Sequence, residues 1–561
     1  MKPSAVTLTL LWSSCWSLLA VVAAQSLPQV DLGYQIQQAS SFNTTGQIYN
    51  FSNIRYAQPP LGKLRFAAPV PPTGRNTTVQ DGSDGAICPQ ANPTWLAIAD
   101  LFTTAFAEGL PFNYTAAAAQ VQANPPKPSP PDPRVKEDCL FLDVFVPKAV
   151  FDKAQNQSSG YQGAPVLVWI YGGGYTAGSK AGSGNPAGLI HTSQASGSDG
   201  IVFVEINYRL GAFGWLSGPT VEAAEGGVSN AGLYDQRLAL EWIQTNIRLF
   251  GGDPNRVTIM GESAGGGSVI HQMTAYGGLK SVPFQQAIPQ SGAWLPVSSN
   301  FKKENTTQAF LALLNVTSIE DARNLPSSVV MAANAQQVGM SPYGGFTYGP
   351  VVDGDFVPDQ PGRLLARGQF ANTVKVVAGH NTNEGPLFSD PRIQTSADQA
   401  TWFKINLPDI SDAAVGFLLG TLYPASYDGS MPYHTPTERN TLIVQEGYFS
   451  CNVNYLGKAF GANISEYQFA VPPALHGQDV PYTFFNGVVN GSGVVPQVAQ
   501  ALQRYIVDFV QTGSANGSGV PVFALYGPNA VETVLNVTGI TQMTDPDANP
   551  RCAWWQQALY Y

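Results

Sequence analysis

Charge is what this chain has least of. Only 12% of its 561 residues are Asp, Glu, Lys or Arg, and the balance is acidic at −10. Without a basic cluster, nucleic acid and anionic membranes are poor candidate partners. Histidine is rarer still. The five, His191, His271, His380, His434 and His476, are scattered, so no metal site and no cofactor is expected. Beyond the N-terminal 24 residues no long apolar run occurs, and the end, Arg551 to Tyr561, is too short for an anchor, so no integral membrane segment is expected. No internal repeat, Ser/Gly linker or charge block divides the rest. Residues 25–561 therefore read as one decorated domain, well above the usual prior of roughly 150 residues. No feature points to a particular oligomeric state.

The first 24 residues are different. Met1-Lys2, the apolar run Ala5 to Val22 and the small residues Ala23-Ala24 read as a secretory signal peptide cleaved before Gln25. Ser13, Ser14 and Ser17 interrupt the run, and no basic stop-transfer flank follows it, unlike a membrane anchor. Eleven N-x-S/T sequons agree with secretion, at Asn43, Asn50, Asn76, Asn113, Asn156, Asn305, Asn315, Asn463, Asn490, Asn516 and Asn536. A secreted, extracellular glycoprotein is expected. Of five cysteines, Cys15 leaves with the signal, and Cys88, Cys139, Cys451 and Cys552 remain.

Apolar runs Pro165–Tyr171, Ile201–Asn207 and Asn255–Met260 look like buried strands, and Leu233–Phe250 has helical spacing. Strands alternating with helices define an α/β class with a mostly parallel sheet. Between the third strand and a further helical stretch lies Gly261-Glu262-Ser263-Ala264-Gly265, a G-x-S-x-G sequence. A serine there takes a tight turn that lifts Oγ above the sheet, and the flanking glycines give the backbone room.

A serine hydroxyl needs a base to become a nucleophile, and the base needs an acid to hold its tautomer. His476, in Ala474-Leu-His-Gly-Gln-Asp479, is the preferred base. His271 lies two helical turns past Ser263 and reads as packing or surface, His191 and His434 as polar-loop residues. His380 reads as a loop residue shaping the acid's surroundings. If the order is Ser, acid, His, the acid is Glu384, at the end of the strand-like Val374–Ala378. Asp353 and Asp355 are runners-up, and Asp479 is a weaker rival. Gly172-Gly173-Gly174 ends a strand abruptly and supplies N–H groups for an oxyanion, joined by that of Ala264.

The segment between Cys88 and Cys139 is unlike the rest. Trp95, Ile98, Phe102, Ala105 and Phe106 form an apolar stripe at helical spacing, and Asn124 to Pro133 is a proline-rich connector.

Together the motifs resemble the type-B carboxylesterase/lipase family, which includes cholinesterases and large fungal lipases and sterol esterases. The matching segments are Tyr56–Gly62 with Leu64–Phe66, Glu137–Val144, Val168–Tyr175, Asn207–Gly214, Asn230–Trp242, Phe250–Pro254, Gly261–Gly265 and Gly349–Gly354. They run in family order from about residue 30 to the C-terminus. The resemblance implies an α/β-hydrolase fold and a carboxylic ester hydrolase, with Ser263 as nucleophile, Glu384 as acid and His476 as base. It implies an oxyanion hole of Gly173, Gly174 and Ala264, a lid-loop disulfide Cys88–Cys139 over residues 88–139, and an ion pair Arg65–Glu137 tying that loop down. The family's short-range disulfide has no counterpart. Cys451 and Cys552 remain and, as in fungal members, are expected to pair. Ser129 stands where cholinesterases carry an aromatic residue, which removes a platform for quaternary ammonium and argues against choline esters.

Three uses of such a chain are distinguishable. The loop favours hydrophobic esters, but if it packs permanently on the body the substrates are small soluble esters. A lipase or steryl esterase needs the apolar helix to move as an interfacial lid. A non-catalytic adhesion or scaffold member would lack the triad, which is complete here.

Overall fold

The computed structural model describes residues 27–125, 132–156, 159–293, 297–488, 493–517 and 519–560. The proposed signal peptide, Ser129 and Asn490 lie outside them. The scaffold is an eleven-stranded sheet: β1 (Ser41–Asn43), β2 (Ile48–Arg55), β3 (Phe141–Pro147), β4 (Ala164–Ile170), β5 (Val202–Ile206), β6 (Gly252–Glu262), β7 (Gln286–Gln290), β8 (Lys375–Asn381), β9 (Ile464–Phe469), β10 (Val531–Asn536) and β11 (Gly539–Thr544). Their spatial order is β1-β2-β3-β5-β4-β6-β7-β8-β9-β10-β11. From β5 through β10 every pairing is parallel, and the outer pairs are antiparallel.

The sequence explains this division. Every residue of β4 and β5 is buried, as expected for parallel strands covered on both faces. The edge strand β11 is exposed at every position but the half-buried Ile540, as expected at a sheet margin. The helix anticipated at 233–250 is α-helical over Ala231–Asn246 and tightens to a 3-10 turn at Ile247–Phe250.

Segment 88–139 carries helix α1 (Leu96–Ala107) and helix α2 (Tyr114–Ala123), whose N-cap Asn113 accepts from the Ala116 N–H. Both disulfides form, Cys88–Cys139 with Cα atoms 5.0 Å apart and Cys451–Cys552 at 5.1 Å. Arg65 meets Glu137 twice, at 2.5 and 2.7 Å, and donates to the carbonyls of Ala322, Arg323 and Leu325. This buried guanidinium has five N–H donors and finds an acceptor in nearly every direction, which offsets the cost of burying it.

Candidate active site

Ser263 stands between β6 and helix α3 (Ala264–Thr274), at φ 58° and ψ −123°. A non-glycine residue there is strained by about 1–3 kcal/mol, and such conformations persist where surrounding structure fixes them. Two backbone bonds do so: Ser263 N–H donates to the Gln290 carbonyl at 3.0 Å, and Ala293 N–H donates to the Ser263 carbonyl at 3.0 Å. Small neighbours are obligatory. A Cβ at Gly265 would lie 2.0 Å from the Ile170 carbonyl oxygen, and one at Gly261 2.5 Å from the same atom.

The glycine loop after β4 passes directly over this turn. A Cβ at Gly172 would stand 2.9 Å from Ser263 Cβ and 2.6 Å from the Glu262 carbonyl oxygen. Gly173 and Gly174 have φ 108° and 62°. Among the described residues nothing accepts from the N–H of Gly173, Gly174 or Ala264, so three donors remain available beside the serine.

His476 and Glu384 come together from loops following β9 and β8. His476 Nδ1 lies 2.5 Å from Glu384 Oε2. The other carboxylate oxygen accepts from Ser291 Oγ and from Asn381 N–H, each at 2.6 Å. Burial alone would raise the Glu384 pKa. His476, Ser291 and Asn381 outweigh it and hold the carboxyl below its ordinary value. His476 Nε2 makes no hydrogen bond among the described residues. Glu262 Oε1 is 3.4 Å away.

That glutamate changes the electrostatics. Burial pushes Glu262 up to about 8, with Asp479 and Glu384 adding repulsion. Burial works against a charged His476, but Glu384 and Glu262 prevail and push the imidazole up to about 9. The unperturbed value near 6.5, the starting point on sequence alone, is therefore displaced upward. Phe388 and Phe449 pack on the imidazole with ring centroids at 5.0 and 4.6 Å, and Phe346 and Trp95 extend this wall toward Gly174.

The rival residues lie elsewhere or serve other partners. Asp353 accepts from Asn230 Nδ2 and from the N–H groups of Asp355 and Val357, and Asp355 accepts from Tyr234. Asp479 accepts from Tyr467 at 2.9 Å and is pushed up to about 6 by burial. His271 is buried within α3, where burial drives its pKa down to about 3. His191 and His434 lie on the surface. His380 is no loop residue: it belongs to strand β8. Among the described residues the one close grouping of potential metal ligands is Cys451, Asp547 and Cys552, and those cysteines are joined to each other.

Ser291, Glu262 and the two phenylalanines were not singled out from sequence. Ser291 directly follows β7, which pairs with β6, the strand that leads into Ser263, a placement that only strand order reveals.

The chain is similar to known proteins over most of its length. The profile of the carboxylesterase family matches residues 36–416. The carboxylesterase patB of Aspergillus clavatus is 46% identical over 96% of this chain and 98% of its own. Lipase 1 of Geotrichum candidum is 33% identical over 70% of this chain and 69% of its own. The crystal structure of Aspergillus niger EstA superposes with a TM-score of 0.76 at 26% identity, covering 95% of this chain and 98% of that one. The chain belongs to the carboxylesterase family, with the α/β-hydrolase fold and the enzyme class, carboxylic ester hydrolase, that the family defines.

Proposed function

We propose that this chain is a secreted serine esterase working through an acyl-enzyme. The observation that carries the reading is the 2.5 Å pair His476–Glu384 beside a strained Ser263 overhung by the glycine loop. Ser263 Oγ attacks the ester carbonyl while its proton passes to His476 Nε2. The tetrahedral oxyanion is held by the N–H groups of Gly173, Gly174 and Ala264, each worth on the order of 10²–10³ in turnover. As the intermediate collapses, the alkoxide leaves with the proton from His476. Water, deprotonated by the same nitrogen, then attacks the acyl-serine and releases the acid. Residues 25–561 act as one catalytic unit, since the sheet draws strands from both ends of that range.

Esters that are dissolved rather than emulsified suit the loop best. Trp95, just before α1, donates from Nε1 to the Gly345 carbonyl at 2.8 Å, and its ring packs on Tyr343 and Phe346 at 5.1 and 5.5 Å. Trp95 and Phe102 are buried, while Ile98, Ala105 and Phe106 are half-buried. Opening α1 as a lid would expose two aromatic side chains at about 1.5–3 kcal/mol each. Lipase-like or steryl-esterase action remains the second reading, because α1 is tethered to Phe388, which touches His476.

Secretion is supported by the two disulfides and by the sequons. Asn43, Asn76, Asn113, Asn156, Asn305, Asn315, Asn463 and Asn516 are exposed, and Asn50 and Asn536 are half-buried. Asn50 sits in β2, and Asn516 is bonded on both sides to the Phe523 backbone. Glycopeptide mapping of the secreted protein should find glycans at exposed sites but not at Asn50 or Asn516.

Hydrolysis of p-nitrophenyl esters from acetate to palmitate, by the wild type and by Ser263→Ala, tests the reading. Activity on short chains that disappears in the variant is expected. Wild-type inactivity across the series would sink it, and a long-chain optimum seen only on emulsions would favour the lid.

A further inference from the structure

His380 is 1% exposed on β8, four residues before Glu384, and both of its ring nitrogens face oxygen atoms. Nε2 lies 3.0 Å from Glu532 Oε1, on β10, and 4.0 Å from Asp547 Oδ2. Nδ1 lies 3.0 Å from the carbonyl oxygen of Asn381. The Asn381 carbonyl only accepts, so Nδ1 carries hydrogen, and the two carboxyl groups beside Nε2 favour a second proton there, which makes the side chain an imidazolium. Asn381 is the residue whose N–H meets Glu384 Oε1 at 2.6 Å.

We propose that His380 is a positioning residue for the triad, an imidazolium anchored by Glu532 and Asp547 that fixes the Asn381 backbone and so aims Glu384 at His476. This rests on the serine-esterase reading above.

The surroundings match that assignment. Burial opposes charge on His380, yet Glu532, then Asp547 and Glu384, overcome it and push the imidazole up to about 10. Behind these groups stand Glu466 on β9 and Asp545, with Lys458 and Glu446 further out. Burial holds Glu466 well above the carboxylate range and Asp547 up at about 7, which leaves His380 as the cation facing Glu532. The chain of contacts runs from the sheet's β10 margin to the acid of the triad: Glu532, His380, Asn381, Glu384, His476.

A purely structural ion pair would also explain a buried histidine, and two substitutions separate the roles. Asparagine places its amide nitrogen where Nδ1 was and can still donate to the Asn381 carbonyl. Glutamine places its amide nitrogen where Nε2 was and can still meet Glu532. If His380 positions Asn381, His380→Gln lowers kcat about tenfold with KM changed less than about twofold. It also moves the acid limb of the pH profile upward, because a cation has been taken from beside the His476–Glu384 pair. His380→Asn then keeps kcat within about threefold of wild type. The reverse order, or two variants with wild-type kcat and pH profile, would overturn the proposal. Near-ultraviolet circular dichroism confirms folding. If His380→Gln does not fold, the same pair is measured in a Glu532→Gln background, where one buried charge of each sign is removed together. Wild-type inactivity on every ester would instead bring down the serine-esterase reading itself.

Discussion

Two imidazoles flank the segment that carries Glu384, and their surroundings are opposite. His476 has one nitrogen on the Glu384 carboxylate and the other without a hydrogen bond, facing Ser263's neighbour Glu262. His380 has both nitrogens against acceptors. In the proposed mechanism the first gains and loses a proton and the second keeps one. Both are buried and both have raised pKa values, so burial and titration alone do not distinguish a base from an anchor. What distinguishes them is whether a ring nitrogen is left over.

The sharpest way to break the comparison is to remove each ring in turn. His476→Ala should lower kcat by a factor of about 10⁴ or more, with near-wild-type melting. His380→Ala should lower kcat far less, by about tenfold, while costing about 3–5 kcal/mol of stability because it leaves Glu532 and Asp547 without their cation. Denaturant titration and p-nitrophenyl acetate kinetics read both. Equal losses of activity with no loss of stability would erase the distinction.

A smaller effect is expected at Glu262. Glu262→Gln removes a carboxylate 3.4 Å from Nε2, so the imidazolium loses support and the acid limb of kcat/KM should move to lower pH, by about one unit. In the wild type that limb should lie above pH 6.5, and a profile flat from pH 6 upward would contradict it.

The smallest effect is on stability against pH. Glu262 and His476 both bind their proton more tightly when folded, their values rising from 4.5 to about 8 and from 6.5 to about 9. The stability this provides is complete below pH 4.5 for the first and below 6.5 for the second, and it is lost as pH rises through about 8 and about 9. Glu384 has the opposite sign: its lowered value supplies stability above pH 4.5 that is lost on acidification. Melting temperature should therefore decline between pH 6.5 and 9.5, and the decline should be shallower in Glu262→Gln, as followed by scanning calorimetry.

Much of the scaffold was legible in the chain because local rules specify it. Unbroken apolar runs mark β4 and β5, and the glycines around Ser263 mark a turn that only small residues permit. The order serine, glutamate, histidine pointed to Glu384 and His476, whose side chains the fold brings within 2.5 Å of each other. The family's residue pattern also anticipated both disulfides and the Arg65–Glu137 pair. The stripe of α1 announced a helix, but nothing in it said whether the helix is tethered. The Trp95 bond to Gly345 joins residues 250 positions apart.

Sequence by itself determined the class of the fold and the serine turn, and it nominated the three groups of the proposed triad, since each follows from neighbouring residues or from spacing along the chain. Tertiary structure alone decided which groups surround them. Ser291 on Glu384, Glu262 beneath His476, and Glu532 against His380 come from different strands of one sheet or the loops that follow them, all distant in the chain, whereas Asn381 on Glu384 is local. A proton's affinity for its site depends on charges and burial within a few ångströms, and that distance is set by strand order rather than by sequence separation.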